Sequence, residues 1–258
     1  FQALYGRNSE APLPVLAACS PGDCFWVALE ACRIALKYMM PVIVLTDGYL
    51  ANGAEPWRIP ELDELGEITV NLRTEAEGFE PYAHDPKTLA RPWAVPGTPG
   101  LEHRVGGLEK QEGSGNVSYD ALNHERMVEL RAAKVEAVVA DVPDAEPVGD
   151  PDGDLLVIGW GSTYGAITAA LRPVREQGHR VGHVHLRHLN PFPANLGEVL
   201  KRYRKVLVPE LNMGQLAVLL RGTYLVDTVS YTKVPGQPFK HSELKARMED
   251  LLSGEKGR

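Results

Sequence analysis

From Leu155 to Arg221 the chain repeats one phrase: a short aliphatic run, a turn of small residues, then helical spacing. Leu155-Leu156-Val157-Ile158 leads through Gly159–Gly165 into a helix ending near Glu176. Val181 to Leu186 is the next run, and Asn190-Pro191-Phe192-Pro193 opens a helix over 196–203. Val206-Leu207-Val208 then leads through Pro209–Gly214 into the helix Gln215 to Arg221. Runs without polar alternation are covered on both faces, as in a parallel sheet. Strand and helix in regular alternation specify a doubly wound α/β fold.

The same grammar opens the chain. Leu13 to Ala18 predicts a strand, and Ser20, Pro21 and Asp23 form a helix start resembling a capping box. That helix runs to about Met39. Its long polar side chains, Glu30, Arg33 and Lys37, share one stripe, so the helix reads as nearly enclosed. Val42 to Leu45 then reads as a central strand covered on both sides. Strand, helix, strand is a right-handed βαβ crossover. Two strands make no sheet, so the rest must come from upstream sequence or from a partner. Thr46, Asp47, Tyr49 and Asn52 cluster at the strand's carboxyl end, where open α/β sheets bind ligands. Thr46-Asp47-Gly48 equally suits a plain turn.

Between these regions the pattern weakens. Glu61 to Leu72 is ambiguous. Gly78 to Gly115 carries Pro81, Pro86, Pro92, Pro96 and Pro99 with no usable period. Its apolar residues Trp93, Val95, Leu101, Val105 and Leu108, with the charged or polar His103, Arg104, Glu109, Lys110 and Glu112, predict an ordered arm packed on another surface. A helix follows over Tyr119 to Val139, capped by Ser118 or Asp120. Asp141 to Gly153, rich in proline and acid, marks a boundary. The expected organisation is residues 1–75, a connecting arm and helix over 76–150, and a second domain over 151–258.

Composition removes several classes. With 44% hydrophobic residues among 258 the chain can bury a core. A net charge of −7 disfavours nucleic acid and anionic membrane as partners. No apolar run approaches the roughly 18–20 residues of a bilayer span. Cys19, Cys24 and Cys32 contain no C-x-x-C and are too few for the usual ligands of an iron–sulfur cluster. Cys24 and Cys32 read as buried thiols, and the odd count suits the cytoplasm. A start at Phe1 so close to the first strand suggests a piece of something longer.

Three features near the second domain invite chemistry. Gly159, Gly161 and Gly165 form a loop one residue longer than the dinucleotide fingerprint, and the next strand ends in His185, Leu186 and Arg187 without an acid. A tight strand-to-helix turn is the better account. His183 and His185 share a strand face, with His179 and His188 nearby. Without a carboxylate or thiol beside them they read as a polar sheet face, not a metal site. Glu210 and Asn212 fall at a strand's carboxyl end, where Trp160-Gly161-Ser162 and Asn190-Pro191-Phe192 should join them on one rim. They suit a ligand or interface role, and equally the capping of the helix after Gly214.

Several longer motifs together resemble the α subunit of the 2-oxoacid:ferredoxin oxidoreductases, specifically the 2-oxoglutarate type. They are Tyr5-Gly6-Arg7-Asn8, DGYLANGAEPWRIP from Asp47, PGTPGLEHRVGGLEKQEGSGNVSYD from Pro96, NHERMVELRAAKV from Asn123 and VPELNMGQL from Val208. The resemblance covers nearly the whole chain and implies its carboxyl-terminal part of that subunit. It implies the second half of a thiamine-diphosphate pyrimidine-binding domain, followed by a domain similar to the transketolase C-terminal domain. It implies oxidative decarboxylation of 2-oxoglutarate to succinyl-CoA with electrons passed to ferredoxin, chemistry that the cofactor supplies and the protein orients. Thiamine diphosphate would be shared with a β subunit, which would carry magnesium and the iron–sulfur cluster, in an (αβ)2 assembly.

The family's activating glutamate, its Tyr-Pro-x-Thr-Pro loop and its substrate-carboxylate arginine belong upstream of Phe1, so no catalytic residue is carried over. Asp47, Tyr49 and Asn52 are candidates for the cofactor rim. Trp57, Arg58, Trp93, His103, Arg104, Glu210 and Asn212 are candidates for the interface. Two other readings stand beside this one: a transketolase or E1β-type thiamine enzyme subunit, and a non-catalytic assembly or regulatory subunit.

Overall fold

The computed structural model describes residues 1–8 and 10–254. In chain order it begins with α1 (Gln2–Tyr5), β1 (Val15–Ala17), α2 (Asp23–Tyr38), β2 (Ile43–Leu45) and α3 (Gly48–Asn52). The middle holds β3 (Leu72–Arg73), β4 (Trp93–Ala94) and α4 (Ala121–Ala137). The remainder is β5 (Val148–Gly149), β6 (Gly153–Trp160), α5 (Tyr164–Glu176), β7 (Val181–Leu186) and β8 (His188–Asn190). It closes with α6 (Leu196–Lys201), β9 (Tyr203–Glu210), α7 (Gln215–Tyr224), β10 (Thr228–Thr232) and α8 (His241–Ser253). Contacts divide the chain into two compact units. One comprises Phe1–Leu16, Ala28–Ile43 and Arg58–Asp141; the other comprises Ala17–Val27, Val44–Trp57 and the chain from Val142 onward.

In the first unit, polar side chains from the arm and α4 close the end of α2. Trp93 Nε1 donates to the Leu36 carbonyl at 2.9 Å and Lys134 Nζ to that of Met39 at 3.2 Å. Both carbonyls lie in or just past the last turn, which has no intrahelical donors left. Tyr38, 2% exposed, places its hydroxyl 2.9 Å from Asp141 Oδ2. Asp120 caps α4 by accepting from Asn123 N at 2.8 Å, and Met127 and Leu130 pack with Tyr82. The proline-rich arm is ordered by turns, with Tyr82 pairing Gly113 and Lys110 pairing Val117. Of its expected anchors only Leu101 is buried; Val95, Val105 and Leu108 are 48%, 66% and 56% exposed.

The second unit is built on a five-stranded sheet ordered β10-β9-β6-β7-β5. It is parallel except for the antiparallel edge strand β5. Leu155 and Val157 of β6 point to α5 and α8, with Ile167, Leu171, Leu244 and Met248 in that core. The alternating Leu156 and Ile158 are fully buried too, because α6 and α7 lie against the sheet at β9. Coverage of both faces is why the run carries no polar alternation. In this unit the ends of β2 and β1 also meet β8 in a three-stranded sheet of order β2-β1-β8. Ala18 N donates to the Leu45 carbonyl at 3.3 Å and Ala17 N to that of Arg187 at 2.8 Å.

Three expectations for the amino-terminal crossover need correction. The strand that joins β1 and β2 is β8 of the same chain, and neither upstream sequence nor a partner supplies it. β1, not β2, is the buried strand: Val15 and Leu16 have no exposure, while β2 lies at the sheet edge and is only half-buried. Nor is α2 enclosed. Phe25, Ala28 and Cys32 form an exposed stripe one helical face wide, and Cys24 is only partly buried. Apolar composition around a helix does not reveal which stripe the same chain covers. Cys19 is the shielded thiol, and burial, followed by the charge of Asp23, pushes it up to about 12.

Candidate functional site at the topological switch

The order of the main sheet locates its crevice. After β6 the chain lays β7 on one side, then crosses back to place β9 and β10 on the other. Adjacent strands whose connections depart in opposite directions leave a gap at their carboxyl ends, the usual ligand position in open α/β sheets. Here those ends are Trp160 of β6 and Glu210 of β9.

A cavity of about 270 Å³ lies there, lined by Leu45, Asp47, Trp160, Ser162 and Asn212 among others. Gly161 turns the chain at its rim with φ of 60°, a left-handed value that glycine adopts without a Cβ penalty. That turn presents Ser162, whose hydroxyl donates to Asp47 Oδ2. Asp47 Oδ1 accepts from Leu50 N at 3.0 Å, so the same carboxylate caps α3. A second cavity of about 500 Å³ is also lined by Asp47, with Tyr49, Asn52, Lys233 and Gln237.

Glu210 is fully buried and anchors α7: it accepts from Leu216 N at 2.8 Å, Ala217 N at 3.0 Å and Trp160 Nε1 at 3.3 Å. Asn212 Nδ2 donates to it at 3.1 Å, while Asn212 Oδ1 accepts from Gly214 N and Gln215 N at 2.8 and 2.9 Å. A carboxylate at a helix N-terminus meets both its unpaired N–H groups and the positive end of its dipole. The fold thus uses both residues to start α7, with Asn212 still facing the cavity.

The other candidates are dispersed. Tyr49 is 60% exposed, and Asn52 donates to the Gly48 carbonyl at 2.7 Å. Trp57, 43% exposed, packs on Phe25 with ring centroids 5.2 Å apart. Arg58 pairs with Glu64 at 2.5 Å, and Trp93 is held by its bond to Leu36. His103 meets Phe79 edge-on and Arg104 is exposed. Asn190-Pro191-Phe192 does not reach the cavity: β8 runs beside β1, and Phe192 lies 6.0 Å from Tyr224. Sequence reasoning missed the Asp47–Ser162 bond and the Arg187–Asp23 ion pair, since no short-range spacing signals partners so far apart in the chain.

His183 and His185 do not form a polar face. His183 is 2% exposed, and Tyr164 meets the His183 ring at a tilt and the His185 ring edge-on, at centroid distances of 5.9 and 5.0 Å. Among the described residues no cluster of three metal-binding side chains exists. Burial holds His183 down at about 3 and His185 at about 4, so both stay neutral in the fold. The unfolded chain takes up these protons near pH 6.5. Folding is therefore disfavoured as pH falls from about 6.5 towards 4, and stability is fully retained above that window. Urea titrations at successive pH values should show this acid loss, and His183→Leu should reduce it to the share that His185 contributes.

Residues 2–121 match the family described as pyruvate flavodoxin/ferredoxin oxidoreductase, thiamine diP-binding, and residues 153–234 match pyruvate:ferredoxin oxidoreductase core domain II. The 2-oxoglutarate oxidoreductase subunit KorA of Mycobacterium tuberculosis is 58% identical over 256 residues, 98% of this chain. Along nearly its whole length the chain is similar to subunits of the 2-oxoacid:ferredoxin oxidoreductases. Subunit alpha of 2-oxoacid:ferredoxin oxidoreductase 1 from Aeropyrum pernix is 29% identical across 97% of the chain. A solved 2-oxoglutarate:ferredoxin oxidoreductase from Magnetococcus marinus superposes with a TM-score of 0.90 at 29% identity, covering 98% of this chain and 44% of that one. The chain spans 39% of the Mycobacterium relative and 40% of the Aeropyrum one. These relatives are named subunits of larger enzymes. Among the described residues no helix is long and apolar enough to cross a membrane.

A thiamine diphosphate site needs a carboxylate free to reach the aminopyrimidine. At this cavity both oxygens of Asp47 are engaged and Glu210 is sealed behind α7. The residues at the switch point do not make such a site by themselves.

Proposed function

We propose that this chain is part of the α subunit of a thiamine-diphosphate-dependent 2-oxoglutarate:ferredoxin oxidoreductase. Identity of 58% with KorA across 98% of the chain carries this reading. The open stripe of Phe25, Ala28 and Cys32 on α2, with Trp57 beside Phe25, supports a subunit that works against a neighbour. In this reading a β subunit holds magnesium and the iron–sulfur cluster, the assembly is (αβ)2, and CoA and ferredoxin are its further substrates in the cytoplasm. Asp47, Tyr49 and Asn52 line the rim towards the cofactor, and Trp57, Arg58, Trp93, His103 and Arg104 belong to subunit contacts. Residues 1–75 serve as the pyrimidine-binding part, 76–150 as the connecting arm and 151–258 as the accessory domain.

The test is reconstitution. The full-length α polypeptide with its β subunit should reduce ferredoxin with 2-oxoglutarate, requiring CoA and thiamine diphosphate, and should prefer 2-oxoglutarate to pyruvate. The chain of residues 1–258 alone should show no turnover. Activity from that chain alone, or reduction of lipoamide in place of ferredoxin, would overturn the proposal.

A further inference from the structure

The first unit contains a cavity of about 410 Å³ between the proline-rich arm and α4. Leu89, Met127 and Leu130 give it an apolar wall, and Arg91, Lys134 and His84 face it together. The volume falls in the roughly 300–1,000 Å³ range of small-molecule pockets.

Its charges do not balance. The Arg91 guanidinium donates to the Pro81 carbonyl at 3.3 Å and lies 4.3 Å over the Tyr82 ring. Among the described residues Lys134 reaches only the Met39 carbonyl. Among the described residues no carboxylate pairs with either cation. The nearby acids are engaged elsewhere. Asp85 Oδ1 accepts from Lys87 N, Thr88 N and Thr88 Oγ. Glu109 bridges Arg131 and His124, and Glu112 sits 3.1 Å from Arg126 and 3.6 Å from His84. Lys110, 3% exposed, is held by the Gly106 and Leu108 carbonyls.

Two cations sharing a poorly solvated pocket raise each other's energy. Burial, and then the charge of Arg91, pushes the Lys134 ammonium down to about 8. An anion between them would remove both penalties, and a guanidinium fork beside an ammonium matches an oxyanion in shape and charge. A chain of net charge −7 has acids enough to neutralise the pair, yet Glu109, the one carboxylate among the lining residues, is held by Arg131 and His124. We propose that this pocket is a binding site for a small organic oxyanion, a phosphate or carboxylate on a compact apolar body, gripped between Arg91 and Lys134. The site does not depend on the oxidoreductase reading.

Competitive acylation of the assembled protein with acetic anhydride, read by peptide mass spectrometry, tests it. With inorganic pyrophosphate or citrate as probe, Lys134 labelling should fall at least about tenfold against sodium chloride of equal ionic strength, since the bound anion restores the charged amine. Arg91→Gln should abolish that protection. Should that variant not fold, loss of the calorimetric pyrophosphate signal in Lys134→Met serves in its place. Equal labelling with both probes and the chloride control overturns the proposal. So does a Lys134 that is shielded in the complex without added anion and exposed in the separated subunit, because a neighbouring subunit's acid would then supply the missing charge.

Discussion

Glu210→Ala is expected to destabilise the second unit by about 3–5 kcal/mol, among the largest effects of any single substitution in this chain. Glu210 is fully buried and accepts from two backbone N–H groups of α7, the Trp160 indole and the Asn212 amide. Alanine leaves these donors facing a dry space, and each unsatisfied donor costs about 1–3 kcal/mol before relaxation. Glu210→Gln keeps the shape but turns an N–H₂ group towards donors, so about 1–3 kcal/mol should be lost. Urea unfolding followed by circular dichroism measures both. An alanine variant as stable as the parent would show that Glu210 does not hold α7.

Gly182→Ala in β7 is the second large effect, at about 2–3 kcal/mol. A Cβ there would lie 2.1 Å from Tyr203 Oη and 2.8 Å from the Asp150 carbonyl. The hydroxyl is fixed by its own hydrogen bond to that carbonyl, and β7 is clamped between β6 and β5. Neither side can yield cheaply. Removing the hydroxyl in Tyr203→Phe takes away the closest contact, so the double variant should be less damaged than the sum of the two singles. Strict additivity of the unfolding free energies would remove the clash as the cause.

The strands that the sequence made plain are those with aliphatic residues on both faces. Leu155 to Ile158 and Val181 to Leu186 appear where their composition puts them, as do α4 with its Asp120 cap and the Ser20 start of α2. Pro209 illustrates a subtler limit. A proline argues against a central strand, yet β9 continues through it to Glu210. The ladder to β6 has already ended at Leu207, and only β10 pairs beyond. The strand end could not be read without knowing the register. Leu244, Met248, Leu251 and Leu252 recur at helical spacing in α8, which packs on α5 while β10 pairs with β9.

The candidate site divides in the same way. Asp47, Trp160, Ser162 and Asn212 could be nominated from their positions at strand ends. The bond from Ser162 to Asp47 and the capture of Glu210 by α7 could not, because each depends on which strands become neighbours. Local spacing in the sequence alone determined the alternation of strand and helix, the helix starts and the family resemblance, since these need only short-range chemistry or long shared motifs. Tertiary structure decided which faces stay open, as on α2, which carboxylates are satisfied, and which cations meet without a counter-charge, as Arg91 and Lys134 do. Burial and charge pairing are properties of neighbours in space, and a chain fixes those only when it folds.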